Sequence, residues 1–72
     1  MNSLTNMEIE ALVIERQPNL LYMVETQDGK QYMCYLAGKM RLHKISVMVG
    51  DRVRVLLDPA GGKATNRIIR RM

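Results

Sequence analysis

The stretch Leu20–Leu36, "LLYMVETQDGKQYMCYL", carries two alternating runs around a "QDG" turn signal at Gln27–Gly29. It reads as two strands, Leu20–Thr26 and Lys30–Leu36, and loop length sets their register. A two-residue Asp28-Gly29 loop would place Tyr22 and Val24 with Met33 and Tyr35. A three-residue Gln27-Asp28-Gly29 loop, with Gly29 left-handed in a bulge, places them with Tyr32, Cys34 and Leu36. The second register is preferred. It gathers Leu20, Tyr22, Val24, Tyr32, Cys34 and Leu36 on one face and leaves Glu25, Gln31 and Tyr35 outside. A slip of one residue would expose the better apolar set.

Working outward, Met7–Val13 alternates apolar residues with Glu8 and Glu10, which predicts a first strand with one wet face. Leu12 and Ile14 are also apolar, so cover on both sides is expected in its later half. "QPN" at Gln17–Asn19 is a turn, since Pro18 fixes φ and Asn19 tolerates left-handed geometry. After Gly38, the run Lys39–Ile45 holds good helix formers without Pro or Gly. One or two helical turns fit there, with Leu42 and Ile45 sharing a face. Gly50-Asp51 is a turn, and Arg52–Asp58 alternates with Val53, Val55 and Leu57 inward. "DPAGGKATN" (Asp58–Asn66) is a turn-rich loop, and Arg67–Arg71 is a short last strand.

Five strands with a short helix between the third and fourth point to an all-β, closed five-stranded barrel of the oligonucleotide-binding (OB-fold) type. An SH3-like barrel is the structural rival, but it usually lacks a helix at that place. Residues 1–6 read as a flexible leader and 7–72 as a single domain. Hydrophobic residues make up 47% of the 72, enough for a small core. No apolar run approaches the length of a membrane span, and the N-terminus lacks the pattern of a secretory signal. Cys34 stands alone and cannot form an internal disulfide, which points to a reducing, cytoplasmic setting.

Charge is distributed unevenly. Residues 1–36 carry two basic and five acidic side chains, a net −3, whereas residues 37–72 carry nine and two, a net +7. A basic half of this kind suits a polyanion. Catalysis is not indicated. His43 and Cys34 are single, a metal site would need more soft ligands, and Ser3 and Ser46 have no evident base. "AGGKAT" (Ala60–Thr65) lacks the spacing of a phosphate-binding loop and reads as a turn with a basic tip. Binding remains, through Lys and Arg on phosphate. Tyr35 is the one tyrosine this register turns outward. Stacking, worth roughly 1–3 kcal/mol per base, therefore cannot carry the affinity. Structured RNA, recognised through phosphates and shape, is the better match.

The segments "QPN" (17–19), "YMVETQDGKQY" (22–32), "AGKMR" (37–41), "VGDRVRVLLDP" (49–59) and "NRIIRR" (66–71) together resemble the bacterial translation initiation factor 1 family, over about Met7 to Arg71. The resemblance implies an S1-like OB barrel that binds rRNA at the A site of the small ribosomal subunit (16S rRNA), beside a ribosomal protein. It also implies that the protein assists initiation factors two and three in placing initiator tRNA, as a monomer without a cofactor, a membrane or an enzymatic activity. Lys39, Met40 and Arg41 match the family's loop-and-helix element, and Arg67 and Arg71 match basic positions of its last strand. His43, Lys44 and Tyr35 are added as RNA-binding candidates on charge and exposure. The family commonly continues "GKMR" with Lys-Asn-Tyr-Ile-Arg, whereas here Leu42–Ser46 is "LHKIS". Arg70 stands where the last strand normally has an aromatic, and the loop before it is one residue longer. A cold-shock-like chaperone of single-stranded RNA is the alternative function, and a protein-binding module of SH3 type a further one.

Overall fold

A computed structural model of the chain describes residues 7–58 and 66–72. Its elements are β1 (Met7–Gln17), β2 (Leu21–Thr26), β3 (Gln31–Leu36), α1 (Gly38–Leu42), β4 (Arg52–Leu57) and β5 (Asn66–Arg71). The strands close in the order β1-β2-β3-β5-β4, so β1 pairs with both β2 and β4. This is the closed, helix-interrupted OB barrel expected. The leader at 1–6 and most of the loop at 58–66, including "AGGKAT", lie outside the described residues.

The hairpin takes the three-residue loop. Tyr22 faces Cys34 and Val24 faces Tyr32. Thr26 N–H bonds Lys30 O at 2.8 Å, and Gly29 has φ +86°, a conformation only glycine takes without strain. The Thr26 hydroxyl donates to the Asp28 carboxylate, and that bond holds the Asp28 carboxyl below its ordinary pKa. Tyr22, Val24, Cys34 and Leu36 are buried, as the preferred register requires.

Leu20 is a correction to that face. β1 continues to Gln17, which pairs with Leu21, so Pro18–Leu20 forms the turn. Asn19 (φ 65°) and Leu20 (φ 61°) are both left-handed, and Leu20 is exposed. The turn geometry overrides the alternation by one residue. The expected cover over β1 is also only partial. Ile14 is half-buried, but Leu12 is exposed, because no element lies over the outer face at that point. β1 contains an irregularity between Val13 and Glu15, which leaves Ile14 without a β2 partner and lets the strand bend from one neighbour to the other.

Ala11, Val13, Val24, Val53, Val55 and Ile68 line the interior, and this largely β-branched set suits pleated, tightly packed strands. Met40 from α1 and Val47 from the segment after it join the same cluster. The seam between β3 and β5 is short. Among the described residues, Cys34, Tyr35 and Leu36 pair there, in parallel, with Asn66, Arg67 and Ile68. Asn66 reinforces it. Its side-chain oxygen accepts from Asp58 N–H at 2.8 Å, and its amide nitrogen donates to Met33 O at 3.4 Å. Asn66 is thus a buried polar clamp that joins β3, β5 and the end of β4, which its place at the end of a turn-like sequence did not announce.

Asn66→Ala removes both side-chain bonds of the clamp, to Asp58 N–H and to Met33 O, and should cost about 1–3 kcal/mol. Urea denaturation checks this through a lowered midpoint at unchanged slope.

Candidate nucleic-acid interface

The element after β3 is a single turn of helix, fixed at both ends. Ala37 N–H bonds Ile68 O at 2.9 Å, which ties the start of the turn to β5. At the other end Lys44 N–H bonds Arg41 O at 3.1 Å, and Ile45 N–H bonds Met40 O at 2.9 Å. With Lys44 at φ 56°, this is a Schellman stop whose left-handed position holds Lys instead of Gly. The helix therefore ends at Leu42, and the expected Leu42/Ile45 face does not form. Leu42 is 77% exposed and Ile45 40%.

The outcome is a cleft of about 340 Å³ between α1 and β5, lined by Lys39, Met40, His43, Ile45, Ile69, Arg70 and Arg71. Met40, Ile45 and Ile69 supply an apolar lining, and Lys39, His43, Arg70 and Arg71 supply cationic or protonatable groups. Four of the eight sequence candidates, Lys39, Met40, His43 and Arg71, thus meet in one place. Met40 is only 2% exposed, so its main work is packing in the core. Arg41 and Lys44 are exposed on the same segment but do not line the cleft. Tyr35 and Arg67 form a second group, as paired neighbours on the outer face of β3 and β5, both half-buried.

A bulge decides how β5 presents its arginines. Val55 pairs with Ile68, but Arg54 pairs with Arg70, so Ile69 is the extra residue. Simple alternation would put Arg67 and Arg71 on one face. The bulge instead keeps Arg67 and Arg70 outside and swings Arg71 across from inward-facing Val53. At the barrel end the Arg71 guanidinium donates to Ser46 O at 3.3 Å, joining β5 to the segment after α1. Ile45 and Ile69 are cleft residues that carry no charge signal in the sequence, and Arg70, a phosphate-capable cation by its chemistry, was not among the site candidates. The bulge that brings Ile69 and Arg70 there has no signature in "NRIIRR".

Other chemistry is spare in this region. Among the described residues, no three His, Cys, Asp or Glu side chains cluster as metal ligands. Cys34 is fully buried, and desolvation pushes its thiol up to about 12, far from a nucleophile's range.

A barrel with this cleft has known counterparts. The model of the family "Translation initiation factor 1A / IF-1" matches residues 1–72. The chain belongs to that family. The solution structure of translation initiation factor 1 from the Wolbachia endosymbiont of Brugia malayi (strain TRS) superposes with a TM-score of 0.79 at 33% identity, covering 99% of this chain and 83% of that one. The crystal structure of YjeQ from Thermotoga maritima matches with a TM-score of 0.75 at 27% identity, over 92% of this chain but only 23% of that one. The barrel therefore also occurs as a part of a larger protein. Membership of the translation initiation factor 1A/IF-1 family makes this chain a translation initiation factor with an RNA-binding OB barrel.

Two outcomes test the local geometry. Lys44→Gly relieves the left-handed strain and should stabilise the fold by about 0.5–1 kcal/mol, read as a higher thermal midpoint, while removing one cation from the interface. A thiol reagent at pH 8 should modify Cys34 only as fast as the barrel opens, and denaturant should abolish that protection.

Proposed function

We propose that the protein binds the A site of the small ribosomal subunit through 16S rRNA, and there assists initiation factors two and three in placing initiator tRNA. The observation that carries this reading is the cleft between α1 and β5, in a chain of this family. Its apolar lining suits the face of a base, and Lys39, Arg70 and Arg71 suit the phosphates on either side. His43 adds a ring donor at the mouth. Arg41 and Lys44 extend the positive surface along the segment, where phosphates of an RNA groove can approach from outside. Tyr35 and Arg67 provide a second, flatter contact, with the guanidinium able to fork onto phosphate. Met40 acts from beneath, by holding the helical turn against the core.

In this reading the protein works as a monomer in the cytoplasm and uses no cofactor. It contacts a ribosomal protein beside the rRNA and acts by occupying a site, with no reaction of its own. Aromatic supply argues against the cold-shock-like alternative. Tyr22 is buried, Tyr32 packs against the core, and Tyr35 is half-buried, so no row of exposed rings exists among the described residues.

Arg41→Ala should weaken binding to the isolated small subunit about tenfold, the scale of one charge-assisted bond. Arg16→Ala, on exposed β1 surface, should stay within about twofold. Equal losses from the two changes, or equal affinity of the wild type for random single-stranded RNA and for the subunit, would count against the proposal. Chemical footprinting should show protection confined to the A-site region.

A further inference from the structure

Arg54 and Arg70 stand directly opposite each other on adjacent antiparallel strands, β4 and β5. Both point outward, because Val53 and Val55 on either side of Arg54 fill the interior. Like charges in directly opposed positions repel, so this pairing works against the sheet unless something negative lies between or over them. The described residues offer nothing of the kind. The acidic neighbour is Glu10, which faces Arg54 from β1, yet its carboxylate bonds Arg52 Nη1 at 3.0 Å. Among the described residues, neither the Arg54 nor the Arg70 side chain makes a hydrogen bond or an ion pair.

The Nε–H of Arg54 is buried and has no acceptor. A buried donor without a partner is costly, and a charged one more so. The unpaired guanidinium of Arg70 lies across the strand, at the edge of the cleft already described. Two forked donors on one face, one with a desolvated N–H, match the tetrahedral oxygens of a phosphate. The arrangement arises only because the Ile69 bulge brings Arg70, and not Ile69, opposite Arg54.

We propose that Arg54 and Arg70 form an additional phosphate-binding clamp, which takes a backbone phosphate of RNA on the outer face of β4 and β5. With Arg67 and Tyr35 on the same outer surface, it extends the RNA contact from the cleft across the β3–β5–β4 sheet. The proposal deepens the RNA-binding reading above, but it can fail separately from the A-site assignment.

The test uses the full chain labelled with nitrogen-15, followed through the arginine Nε–Hε resonances while a short RNA hairpin, and in a parallel arm tripolyphosphate, is added. The Arg54 Nε–H signal should shift and gain protection from exchange with the RNA hairpin. Arg54→Gln and Arg70→Gln should each flatten the dependence of log K on log salt by about one, whereas Arg16→Gln should leave it unchanged. The amide spectrum confirms that each variant is folded, and Arg54→Lys, which keeps the charge without Nε, should recover most of the slope.

An Arg54 signal that stays fixed while amides around Lys39 and Arg41 move would overturn the clamp and leave the cleft intact. A response to tripolyphosphate but not to RNA would overturn the assignment to an RNA backbone. If Glu10→Gln moves the ligand-free Arg54 signal as far as RNA moves it in the wild type, Glu10 is the partner and the proposal fails. Because the hairpin is free RNA, loss of small-subunit binding by the wild type would sink the A-site reading alone.

Discussion

The seam where β5 lies parallel to β3 is the constraint on which the rest of the molecule depends. Among the described residues three pairs close the barrel, so few backbone bonds hold them. Asn66 compensates by tying Asp58 and Met33 to the start of β5. Ala37 compensates from the other side by donating to Ile68 O. The same bond that closes the barrel therefore fixes where α1 begins. The cleft between α1 and β5 follows from closure and needs no separate scaffold.

The candidate interface is built on elements of unequal regularity. Below it lies a β-branched interior whose members are almost wholly excluded from solvent. Above it lies one helical turn, ended by a Lys in a conformation that favours Gly. Stability is given up at Lys44, where a charge is presented to the outside. The paired guanidiniums of Arg54 and Arg70 follow the same pattern, since like charges in directly opposed positions disfavour the sheet. Positions that work against the isolated fold collect on the basic surface around the cleft.

Much of this was legible in the sequence. The three-residue hairpin loop followed from asking which register buries Tyr22, Val24 and Cys34. The charge of the second half of the chain pointed to a polyanion before any fold was considered. The misreadings are local. Leu20 looked like the first inward residue of β2, but a turn with two left-handed residues consumed it. Leu42 and Ile45 looked like a helix face, but the helix stops between them. At Leu20 and at Ile45, periodicity was extended past the point where a turn or cap ended it.

Strand count, hairpin register, the place of the helical insert and the basic half could all be read before folding, because they rest on alternation, turn residues and charge, which are local properties. Which cations stand together was settled by the folding of the strands against one another. Lys39 meets Arg70 and Arg71 through barrel closure, and Arg70 meets Arg54 through the bulge at Ile69. A bulge of this kind leaves no fixed residue signature, so the facing of every side chain beyond it is settled by pairing with the neighbouring strand.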